Sequence, residues 1–121
     1  MYKISKQFPF SAAHSLHGLP DDHPCSRLHG HNYVVTVHLR SHELNSQGFV
    51  RDYNELRVVK DYIDATLDHR NLNDIMAPLN SSAENLAKMI YDHFKPQLPE
   101  LYAIEVSETP KTSAIYEPER K

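Results

Sequence analysis

His14, Cys25, His29 and His31 are the residues of this chain best suited to chemistry. His14 closes the run Ala12-Ala13-His14, and the others lie in Cys25-Ser26-Arg27-Leu28-His29-Gly30-His31. Three imidazoles are the right set for a catalytic zinc, which keeps its fourth position open to water or substrate. A thiol nearby in sequence supplies a base or nucleophile. Residues 32–39 are rich in β-branched types and predict a strand. Side chains at i and i+2 of a strand share a face, so His29 and His31 aim at one metal if the strand begins near His29. The chain has nine histidines, and on spacing alone His17 or His23 can stand in for His14. Cys25 as a fourth ligand would close the site and make it a structural, non-catalytic zinc module.

A second constellation follows in Leu67-Asp68-His69-Arg70-Asn71-Leu72-Asn73-Asp74. A carboxylate beside an imidazole orients and charges it, the arrangement of a general base. Glu108 precedes Thr109-Pro110 at the end of an extended run. It is either a solvated strand-end carboxylate or one that takes two parallel hydrogen bonds from an amino-pyrimidinone edge. His38, His42 and His93 lie on strand or helix positions without partners and read as solvated or core-satisfied residues.

These groups need a scaffold. Residues 2–10 alternate loosely and predict a first strand, and 31–43 a second. Residues 15–28 carry Gly18, Pro20, Asp21, Asp22 and Pro24 and form a loop. Asn45-Ser46-Gln47-Gly48 signals a turn, with Phe49-Val50 a short extended piece after it. Asp52 with Glu55 marks a helix start, and Leu56, Val59, Ile63 and Leu67 extend the helix over about 53–67. Ser81-Ser82-Ala83-Glu84 repeats the capping pattern, Leu86, Met89, Ile90 and Phe94 form its apolar stripe, and Pro96 stops it. Residues 101–108 and 112–117 pair as a hairpin. The expected class is α+β: a four-stranded antiparallel sheet with two helices on one face, in a single domain over 1–121. Its two edges need protection or pairing.

Composition narrows the function. The formal net charge is −3 with no Lys/Arg cluster, which argues against nucleic acid as the partner. No apolar run is long enough to span a membrane. The first residues lack the apolar stretch of a secretory leader, and a single cysteine fits a reducing compartment, so the expected location is cytoplasmic.

Phe10-Ser11-Ala12-Ala13-His14, Cys25-x-x-x-His29-Gly30-His31, Gly48-Phe49-Val50-x-Asp52-Tyr53, Leu67-Asp68-His69-x-x-Leu72-Asn73 and Glu108-Thr109 stand in one order. Together they resemble the 6-pyruvoyl-tetrahydropterin synthase superfamily, over about residues 8–116. The short gap between Cys25 and His29 is similar to its 6-carboxytetrahydropterin synthase branch, which serves queuosine synthesis. The resemblance implies a tunnelling fold, zinc at His14, His29 and His31, and proton transfer by Cys25, Asp68 and His69. It implies that Glu108 anchors a pterin ring. It also implies a homohexamer of two stacked trimers with active sites between subunits. Arg27 is a candidate for binding the substrate's triphosphate, with a solvated loop cation as the plain alternative.

Overall fold

Four antiparallel strands form one sheet: β1 (Tyr2–His14), β2 (His29–Ser41), β3 (Leu101–Thr109) and β4 (Thr112–Tyr116), in the spatial order β1-β2-β3-β4. The structure is a computed structural model and describes residues 1–119. Between β2 and β3 lie three α-helices, α1 (Arg57–Thr66), α2 (Leu72–Met76) and α3 (Ala83–Phe94). None of the described helices is long and apolar enough to cross a membrane.

The sheet buries one face, and the alternation along the strands shows which. On β1 the covered residues are Phe8, Phe10, Ala12 and His14; on β2 they are Tyr33, Val35, Val37 and Leu39, with Thr36 the one residue of β2 buried on the opposite face. The register pairs Phe8 with Val35, Phe10 with Tyr33 and His14 with His29, so both sets face the same way. Phe10 and Tyr33 stack at 4.9 Å between ring centroids. A bulge at His38/Leu39 shifts the β2–β3 register, and both Ala103 and Ile104 are buried there.

Helices cover this face. Leu56, Val59, Ile63 and Leu67 are all buried, as their spacing predicts. The single helix expected over 53–67 is two pieces, however: a 3-10 turn over Tyr53–Leu56 and then α1. Asp52 starts the first piece by accepting the Asn54 N–H at 2.9 Å. Ser82 caps α3 through the Asn85 N–H, and Leu86, Ile90 and Phe94 point inward while Met89 is only half-buried.

Four further expectations need correction. β1 runs past residue 10 to His14, and β2 starts at His29 and ends at Ser41, because each extends the other's ladder. Helix α2 was not expected. It is one turn, capped by Asn71, that buries Leu72 and Met76, and five residues carry too little periodicity to announce themselves. Phe49-Val50 forms no strand; Asn45 Oδ1 takes the Phe49 N–H at 2.9 Å and closes a turn in which Gly48 has φ 86°. His38 is not without a partner, since its Nε2 lies 3.0 Å from Glu105 Oε1.

Candidate active site

The β1–β2 ladder assembles the histidines. His14 is the last residue of β1 and pairs directly with His29, the first of β2, while His31 lies opposite Ala12 on the same face. Their ring centroids stand 4.6 Å (His14–His29), 5.2 Å (His14–His31) and 4.8 Å (His29–His31) apart. One ligand nitrogen from each lies within 4.8 Å of the others. The Cys25 thiol is outside this group. His17 and His23 are exposed elsewhere on the following loop.

Hydrogen bonds set the tautomers. His14 Nδ1 is 2.7 Å from the Ser81 carbonyl and His29 Nδ1 is 2.7 Å from the Arg27 carbonyl. A carbonyl only accepts, so each Nδ1 carries the proton and each Nε2 keeps a bare lone pair. The His14 Nε2 is fully buried and has no hydrogen-bond partner. Leaving such an atom unsatisfied costs about 1–3 kcal/mol. Three imidazoles, two of them oriented by carbonyls through the opposite nitrogen, fit a divalent cation of the zinc class. A bound ion would satisfy the orphaned nitrogen.

Glu108 closes one side. It has the same face parity on β3 as Ile104 and Val106, and its Oε2 is 3.5 Å from His31 Nε2. Burial lowers the His31 pKa, and His14 and His29 lower it further against the opposing pull of Glu108. Burial, aided by Glu108, pushes the Tyr33 phenol far above its ordinary value. The Tyr33 hydroxyl is buried and unpartnered too. Tyr33 was not among the residues singled out from sequence; the signal was its place two residues after His31, on the same face.

Asp68 and His69 sit at the edge of β1. Asp68 Oδ1 accepts the Ser11 N–H at 3.0 Å, and its Oδ2 meets His69 Nδ1 at 2.9 Å. The Ser11 N–H first, and His69 second, hold the Asp68 carboxyl below the usual range. His69 has φ 59°, a left-handed conformation disfavoured for a residue with a side chain. Its N–H donates to the Ser11 carbonyl at 2.6 Å, which holds it there. The His69 side chain is 82% exposed and shares with His31 a groove of about 530 Å³.

Cys25 lies in a 3-10 turn, Pro24–Ser26. Its N–H donates to His23 Nδ1 at 3.1 Å and its carbonyl accepts the Leu16 N–H at 2.7 Å. Arg27 is exposed, and its carbonyl rather than its guanidinium touches the site. The fold therefore brings the three histidines and Glu108 together, places His69, backed by Asp68, along the groove from His31, and leaves Cys25 and the Arg27 guanidinium on the neighbouring loop.

The profile of 6-pyruvoyl tetrahydropterin synthase matches residues 3–119. The chain belongs to that family. A 6-pyruvoyl tetrahydrobiopterin synthase of Drosophila melanogaster is 35% identical over 93% of this chain and 77% of its own length. A 6-carboxy-5,6,7,8-tetrahydropterin synthase of Synechocystis is 33% identical over 96% of this chain and 93% of its own. The solved 6-pyruvoyl tetrahydropterin synthase of Caenorhabditis elegans superposes with a TM-score of 0.86 at 30% identity, covering 98% of this chain and 96% of that one. The family's fold is thus the fold described here, the tunnelling fold.

Proposed function

We propose that this chain is a 6-carboxy-5,6,7,8-tetrahydropterin synthase of queuosine (7-deazaguanine) biosynthesis. In this reading it is a zinc-dependent lyase. It converts 7,8-dihydroneopterin triphosphate and water to 6-carboxy-5,6,7,8-tetrahydropterin, acetaldehyde and triphosphate. The observation that carries the reading is the triad of His14, His29 and His31 with Glu108 beside it, preceded by the short Cys25-x-x-x-His29 spacing. The bacterial relatives named for this activity support it.

His14, His29 and His31 would hold the zinc, which when bound would supply Lewis acidity toward the substrate side chain. Glu108 grips the pyrimidine edge with two parallel hydrogen bonds. His69 gives its Nδ1–H to Asp68, which leaves Nε2 as the atom that takes and returns a proton. Cys25 Sγ is the second proton carrier. Arg27 is the candidate for the triphosphate. The partner is thus a small pterin, not nucleic acid or membrane, and the location cytoplasmic. A proton carrier that is 82% exposed needs cover, and a homohexamer of two stacked trimers with sites between subunits provides it. Light scattering should then report six times the 14.0 kDa chain mass; an active monomer would reject shared sites.

The Drosophila relative favours a second reading, 6-pyruvoyl-tetrahydropterin synthase, which shares the early steps and keeps the three-carbon side chain. Mass spectrometry after incubation with dihydroneopterin triphosphate decides. Acetaldehyde with the 6-carboxy product supports the first reading, and a retained three-carbon side chain selects the second. Unchanged substrate rejects both.

A further inference from the structure

The hydrogen-bonded edge of β1 does not stop where the strand stops. From Ser11 onward, every second residue on its outer side is met by the segment 68–80. Ser11 donates to Asp68 Oδ1 and accepts from the His69 N–H, and the Ala13 N–H donates to the Arg70 carbonyl at 3.0 Å. Beyond His14 main-chain partners run out, and two side-chain carboxamides take over. The Ser15 N–H donates to Asn73 Oδ1 at 2.8 Å, and Asn73 Nδ2 donates to the Ser15 carbonyl at 2.7 Å. The His17 N–H donates to Asn80 Oδ1 at 2.8 Å, and Asn80 Nδ2 donates to the His17 carbonyl at 3.0 Å. A carboxamide carries the same donor and acceptor as a peptide group, so each asparagine substitutes for one residue of a paired strand.

Each clamp leads to a different part of the site. Asn73 Oδ1 also lies 3.3 Å from the hydroxyl of Ser81, a fully buried residue whose carbonyl receives the His14 Nδ1–H. The Asn80 carbonyl is tied to α3 through Asn85 Nδ2 at 3.0 Å. Leu16, between the two clamped residues, donates its N–H to the Cys25 carbonyl.

We propose that Asn73 and Asn80 are positioning residues with separate duties. Asn73 fixes the Ser15–Ser81 frame that aims His14 Nε2 into the triad. Asn80 holds the start of the 15–28 loop so that Cys25 stays seated against Leu16. The duties rest on the proposed metal and thiol roles, but the clamps themselves do not.

Three readouts test this on the full chain: amide hydrogen exchange, zinc affinity by chelator competition, and the rate of Cys25 alkylation by iodoacetamide. Asn73→Ala should expose the Ser15 amide and weaken zinc binding about 10-fold, the low end for an outer-shell loss because Asn73 acts through Ser81, the partner of His14, with Cys25 alkylation unchanged. Asn80→Ala should expose the Leu16 and His17 amides and speed alkylation several-fold, with zinc affinity unchanged. Asn73→Asp keeps the acceptor for the Ser15 N–H and loses the donor, so it should recover part of the zinc affinity; it also serves if Asn73→Ala does not fold. Parental zinc affinity in the Asn73 variants despite an exposed Ser15 amide overturns the first duty. Parental alkylation in Asn80→Ala overturns the second. If the parent chain binds no zinc, the metal reading fails instead, and matched loss of Ser15 or His17 protection in each variant still reports the clamps alone.

Discussion

Glu108→Gln separates the pterin reading from the metal reading. The Glu108 side chain is only 25% exposed, lies one residue before the end of β3, and directs Oε2 to within 3.5 Å of His31 Nε2. A guanidine-like ring edge offers two adjacent N–H donors, and a carboxylate answers both with acceptors. Glutamine keeps the volume but turns one acceptor into an NH₂ group, so one ring N–H faces a donor. A mismatched, largely covered polar contact of this kind costs about 1–3 kcal/mol, which is about 5- to 150-fold in binding. The remaining exposure admits water and pulls the effect toward the lower half of that range. Metal binding should survive the change. Glu108 raises the His31 pKa, so removing its charge leaves His31 neutral at still lower pH, the form that ligates. The assay is equilibrium titration of the zinc-loaded protein with a pterin analogue, alongside metal content. Weaker analogue binding at constant zinc is the expected result. Unchanged affinity would make Glu108 a strand-end carboxylate that serves only His31, and the substrate assignment would lose its anchor.

His29→Ala and His31→Ala should each lose zinc and turnover together after dialysis; full occupancy in either variant would remove that residue from the ligand set. Cys25→Ala should keep zinc and lose turnover by about 10²-fold or more, as expected for a missing acid–base group. Release of zinc instead would make the thiol a ligand. The metal-free chain should lose stability as pH falls below about 6.5, the ordinary histidine value. Burial holds the folded His31 pKa below that value, so the unfolded chain binds more protons in the window between the two. Urea unfolding across pH measures the slope, and His31→Gln should flatten it; an equal slope in that variant would place the effect on other histidines.

The order of the elements was legible in the chain because period-2 and period-3.6 patterns are local. The stripe Leu56, Val59, Ile63 and Leu67 needed no tertiary information, nor did the β-branched run after His31. The candidate ligands were legible as residue types at close spacing, and so was the adjacent Asp68-His69 pair. Which histidine completes the triad was not. His14, His17 and His23 are equivalent on spacing, and only the β1–β2 register, which sets His14 against His29, chooses among them. That register is fixed by burying Phe8, Phe10 and Tyr33 on one face, since a slip of β1 by one residue would turn Phe8 and Phe10 to the face opposite Tyr33. The place of Glu108 follows from strand pairing across β3, more than seventy residues away in sequence from its neighbour His31. The one-turn helix α2 left no periodic trace because five residues are too few to show one, and the asparagine clamps left none because they satisfy main-chain groups that only the folded edge exposes.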